Sequence, residues 1–65
     1  MPTMNQVKRE LRNLGCNKES EGSKHEHWIN PKTGQRFRLS RHNHEISQKL
    51  LRDIEKQAGV KLFRK

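Results

Sequence analysis

One cysteine, one tryptophan, two phenylalanines and seven acidic residues are all that this 65-residue sequence holds of those types. With Cys16 alone, no internal disulfide can form, and the chain fits a reducing cytoplasm. No apolar run approaches the length of a membrane span or a secretory leader, so no membrane association is expected. Hydrophobic residues make up 28% of the chain and charged residues 34%, enough for one thin core. A chain of this size buries only about 60% of its unfolded surface, so the fold has to be simple. One sheet covered by one or two helices meets that demand. Internal repeats, low-complexity tracts and linkers are also missing. The sequence therefore reads as a single domain over 1–65, with a core from about 3 to 60 and a tail at 61–65. Low hydrophobicity with high charge also marks disordered chains, and it is the periodicity of the apolar residues that argues otherwise.

Basic residues are what the chain has in excess. Lys and Arg number 15, and the net charge is +8. A basic small domain meets polyanions, nucleic acid first, because neutralised phosphates release their counterions. The blander readings are a plain solvated surface, or a surface made to pair with an acidic protein.

The spacing predicts a helix over 3–14. Thr3 and Gln6 fit a capping box, and Met4, Val7, Leu11 and Leu14 share one face. Lys8, Arg9, Arg12 and Asn13 fall on the other face. Gly15 ends the helix, and Cys16 reads as a half-buried residue at a strand start. A polar strand is expected over 16–21, a tight turn at Gly22-Ser23 and a second strand over 24–30. Pro31 and Gly34 mark a hairpin connection to a cleanly alternating third strand over 35–40. After an irregular stretch, a second helix runs from about Ser47 to Ala58. Its apolar stripe is Leu50, Leu51, Ile54 and Ala58, and Gly59 stops it. The expected fold class is α+β, in the order α-β-β-β-α, with a three-stranded antiparallel sheet and two helices on one face. Leu62 and Phe63 in the tail could finish the core or be offered to a partner.

Side chains alternate across a strand. With Trp28 on the core face, His25, His27 and Ile29 project to the open face, although Lys24, Glu26 and Asn30 then share the parity of Trp28. With Phe37 and Leu39 inward, Arg36 and Arg38 join the histidines outside. An imidazole beside two guanidiniums suits RNA. Arginine binds phosphate bidentately, and histidine as a residue type exchanges protons near neutral pH. The same residues also have plainer readings. Histidines on exposed strands are usually surface, and the arginines could position phosphate without chemistry. Two His-x-His pairs, His25/His27 and His42/His44, raise zinc as a further reading. Structural zinc sites, however, draw on cysteine, and catalytic ones often on a carboxylate, so no metal and no other cofactor is expected.

The segments "GSKHEHW", "NPKTGQRFRLSRH" and "LLRDIEKQAGV", in this order across about residues 4 to 60, resemble the HicA-type (YcfA-like) toxins of bacterial toxin–antitoxin pairs. The resemblance implies a fold like a double-stranded-RNA-binding domain and a metal-independent endoribonuclease that cleaves mRNA. It implies His25 as the single catalytic histidine, with His27 a neighbour without that role. Gly22 and Ser23 would shape the turn that presents His25. Arg41 and His42 match a basic-His pair before the last helix, where a proline commonly precedes them and this chain has Ser40. A HicB-type antitoxin would be the protein partner, and the free toxin would be a monomer. Lys24, Arg36, Arg38 and Arg41 are the candidate RNA-binding residues. The rival expectation is a non-catalytic RNA-binding module on the same fold, since fold alone does not fix function.

Overall fold

The computed structural model describes residues 1–63. Helix α1 spans Met4–Asn13, strands β1, β2 and β3 span Asn17–Glu21, His25–Asn30 and Gln35–Ser40, and helix α2 spans Gln48–Ala58. The strands form one antiparallel sheet in the order β1-β2-β3, so β2 is central. The expected α-β-β-β-α fold is the observed one. The strands at 16–21 and 24–30 each begin one residue later than their spacing suggested, and α1 loses one residue at each end.

Local signals explain these elements. The Thr3 hydroxyl accepts from Gln6 N at 3.3 Å, and Gln6 Oε1 accepts from Thr3 N at 2.8 Å, which closes the capping box. Met4, Val7 and Leu11 then point inward and are buried. Ser47 caps α2 by accepting from Leu50 N. Gly15, Gly34 and Gly59 all take positive φ, at 95°, 76° and 72°. Gly59 is the most constrained, because a Cβ there would collide with the Gln35 side chain as well as strain the backbone.

The core lies between the helices and one face of the sheet. Trp28, Phe37 and Leu39 come from the sheet, Met4, Val7 and Leu11 from α1, and Ile54 and Ala58 from α2. Two corrections and one addition follow. Cys16 is fully buried rather than half-buried, with its thiol pushed up by burial against the opposing charge of Lys32. Leu50 is 37% exposed and lies off the apolar stripe of α2, which consists of Ile54 and Ala58 with Leu51 partly buried. Ile46, in the stretch read as irregular, is fully buried. The tail also adds to the core. Leu62 is 1% exposed and donates its N–H to the Glu55 carboxylate at 2.7 Å, while Phe63 is half-exposed.

The connection between β3 and α2 is tied to the start of α1. Met4 N donates to His44 O and Ile46 N to Pro2 O, both at 2.8 Å, and Asn5 N donates to Asn43 Oδ1 at 3.0 Å. Of the polar residues that share the parity of Trp28, Lys24 is exposed in the turn, while Glu26 and Asn30 are buried and satisfied. Glu26 accepts from Trp28 Nε1 and Lys8 Nζ, each at 3.0 Å, and Asn30 Nδ2 donates to Ala58 O at 2.7 Å. Burial pushes the Glu26 carboxyl up, but Lys8, Trp28 and Lys18 outweigh it and hold the group below its ordinary value.

Candidate nucleic-acid interface

The β1–β2 turn is closed twice. Gly22 N donates to His25 O at 2.7 Å, and Arg41 N donates to Lys24 O at 3.2 Å. From the side, Arg41 Nη1 donates to the carbonyls of Gly22 and Ser23 at 3.2 and 3.1 Å, and Nη2 lies 3.5 Å from the Glu21 carboxylate. Lys18, by hydrogen bond and charge, and Arg41, by charge, hold the Glu21 carboxyl below its ordinary value. Arg41 therefore spends its donors on the turn. A Cβ on Gly22 would lie 3.3 Å from His25 O and 3.9 Å from His27 Nε2, so the turn packs closely against both histidines.

His25 opens β2, opposite Ser40. Its side chain is exposed, and among the described residues its imidazole makes no hydrogen bond or ion pair. Lys24 is exposed beside it in the turn. The guanidiniums cluster elsewhere on the same face. Arg38 stands opposite His27, and Arg36 opposite Ile29. At about 3.4 Å per residue, Arg38 is roughly 7 Å and Arg36 roughly 13 Å along β3 from the level of His25. Arg38 can reach either imidazole, because diagonal neighbours on a sheet lie within reach of long side chains. Arg36 belongs with His27, in an open cleft that Ser20, Arg38, Glu19 and Gln57 also line.

That cleft depends on an irregularity in β1. Lys18 pairs with Trp28 and Ser20 with His27, which leaves Glu19 as the extra residue of a β-bulge. Glu19 lies on the same face as Asn17, and its carboxylate is 3.2 Å from Arg36 Nε.

A second basic groove was also missed. Asn5, Lys8, Arg9, Arg12 and Arg41 line it, together with Glu26. Its signal was present in the sequence, since Asn5, Lys8, Arg9 and Arg12 recur at three- and four-residue steps on α1. Arg12 adds a cation–π contact, 5.3 Å from the Trp28 ring centroid. His42 and His44 are exposed, and His44 Nδ1 bonds to Glu45 O at 2.9 Å. Among the described residues no three of His, Cys, Asp and Glu gather as a metal-holding group, and no helix is long and apolar enough to cross a membrane.

The comparisons with known proteins are uneven. Neither the curated proteins nor the solved structures include a match to this chain. A family model described as the HicA toxin of bacterial toxin–antitoxin pairs matches residues 4–60. That span takes in both helices and all three strands, with the exposed histidines and arginines of the open face, and so this chain belongs to the HicA toxin family.

Proposed function

We propose that the protein is the toxin of a toxin–antitoxin pair and cleaves mRNA without a metal, with His25 as its one catalytic histidine and a HicB-type antitoxin as its restraint. Family membership supports the toxin role, with an antitoxin as partner and RNA as target. The observation that carries the catalytic reading is the turn at 22–25. It is fastened by Arg41 and leaves the His25 imidazole exposed, with no hydrogen bond or ion pair among the described residues, at the end of a basic face.

The chemistry asks little of so small a scaffold. The ribose 2′-hydroxyl attacks the adjacent phosphorus and the P–O5′ bond breaks. The products are a 2′,3′-cyclic phosphate and a 5′-hydroxyl. One proton leaves the 2′-oxygen and one reaches the 5′-oxygen, and His25 carries one of these transfers. Lys24, beside His25 in the turn, is within reach to offset the charge that builds on the phosphate, with Arg38 and then Arg36 further along the neighbouring strand. Arg41 serves chiefly by fixing the turn.

The test is cleavage of RNA by purified protein with EDTA present, beside His25→Ala. The wild type cuts, the variant does not, and both stay folded by circular dichroism. RNA carrying a 2′-deoxy nucleotide at the scissile position binds and stays intact. Equal cutting by both proteins would remove His25 from the mechanism. Binding without cutting by either would make the protein an RNA-binding module.

A further inference from the structure

The cleft around His27 is distinct from the position of His25. Three groups able to donate to an anion converge there: His27 on β2, and Arg36 and Arg38 on β3. One carboxylate already lies among them, Glu19 on Arg36. Arg36 is 73% exposed and Glu19 37% exposed, so solvent screens the pair and it is weak. The Glu19 carboxylate approaches the guanidinium through Nε alone, and it brings there the negative charge that a phosphate oxygen would bring. Glu19 sits at the β-bulge of β1, where the ladder to β2 is locally interrupted.

We propose that His27, Arg36 and Arg38 form a seat for a backbone phosphate of the RNA strand beside the scissile linkage, a seat that the Glu19 carboxylate fills while RNA is absent. The proposal rests on the reading of the protein as an RNA-cleaving toxin, and it extends that reading to a flanking nucleotide. The seat lies along the strand from His25, with Arg36 roughly 13 Å from the level of that residue. A phosphate held there is not the one that reacts. Its role is to fix the register of the strand so that another linkage meets His25. Glu19 makes entry competitive, since only an anion that out-binds the tethered carboxylate can displace it.

The test uses binding rather than cleavage, with a short RNA whose 2′-oxygens are all methylated so that no nucleophile is present. One linkage at a time is replaced by an uncharged methylphosphonate, and affinity is read by fluorescence anisotropy. At one linkage the wild type loses about three- to tenfold in affinity, whereas Arg36→Gln/Arg38→Gln, already weakened, loses less than about twofold more. His27→Gln weakens binding and reduces the effect of the same linkage. Glu19→Gln tightens binding about two- to fivefold. Asp53→Asn, an equal charge change on the exposed face of α2, does not.

Losses that multiply in full at every linkage would overturn the seat. Equal tightening by Glu19→Gln and Asp53→Asn would overturn the part assigned to Glu19. Cleavage of unmodified RNA is scored separately. His25-dependent cutting together with uncoupled linkages sinks the seat and leaves the enzyme, while coupled linkages without cutting do the reverse.

Discussion

Arg41 and Ser23 lie 18 residues apart in sequence and are joined by a hydrogen bond of 3.1 Å from guanidinium to carbonyl. The same nitrogen reaches Gly22 O, so one side chain gathers the two carbonyls that precede the candidate catalytic strand. An arginine can do this because its donors are held in a fixed fork, which a lysine lacks.

Arg41→Lys separates the two roles open to this residue. It keeps the charge, so RNA affinity stays within about twofold. It loses the fork, so the turn loosens and the cleavage rate falls about tenfold or more, as misplaced catalytic groups do. Single-turnover rates beside anisotropy measure both. A lysine variant with the full rate would make Arg41 a charge contact and not a clamp. The stability change is about 1 kcal/mol or less, because Arg41 is 42% exposed.

Gly22→Ala tests how closely the turn packs. The new methyl would stand 3.3 Å from His25 O, and backbone has to give by a few tenths of an ångström. We expect a stability loss of about 1 kcal/mol. The cleavage rate drops further than that loss explains, and the amide shifts of 22–25 change. An unchanged rate would mean that the turn's placement does not matter to the chemistry.

Glu26 is expected to contribute to the acid limit of the fold. Its folded pKa is depressed below the ordinary 4.5, so its contribution is fully present above that value. It is lost as pH falls through the folded value, because protonation then breaks the pairing with Lys8. Urea midpoints between pH 6 and pH 3 should fall for the wild type and flatten for Glu26→Gln. At pH 7 the same variant costs about 1–3 kcal/mol, since the largely buried Lys8 ammonium loses its partner. Parallel acid limbs for the two proteins would assign the limit to other carboxylates.

Helix α2 offers a calibration. Ile54→Ala leaves a cavity under a 4%-exposed side chain and costs about 2–4 kcal/mol. Leu50→Gln, at a position 37% exposed, costs about 0.5 kcal/mol or less. Urea denaturation of the two variants decides whether Leu50 belongs to the core after all.

Periodicity was enough to recover the fold. The capping box at Thr3, the alternation of Phe37 and Leu39 and the glycines at 15, 34 and 59 are local signals, and local physics sets the elements. Leu50 was misread because a leucine at helical spacing looks the same whether or not a sheet lies beneath it. The burial of Ile46 is not legible locally, because it packs in a cluster drawn from both helices and the sheet, which no short window contains. The candidate site divides in the same way. The parity of β2 and β3 put the histidines and arginines on one face, as their registers have them. Position along the strand was another matter, since only the register distinguishes the Arg38 neighbour His27 from His25. Glu19 went unassigned because β1 is polar throughout and offers no apolar residue from which to read parity.

The strap that joins 43–46 to 2–5 also bears on when this protein becomes whole. Helix α1 is made first, yet the hydrogen bonds that pin its leading end to the rest of the fold come from Asn43, His44 and Ile46. On a ribosome those partners emerge roughly forty residues later, two to eight seconds behind at ordinary synthesis rates of about 5–20 residues per second. The nascent chain passes that interval without the bonds that hold the leading end of α1, and the finished packing waits for residues 43–46.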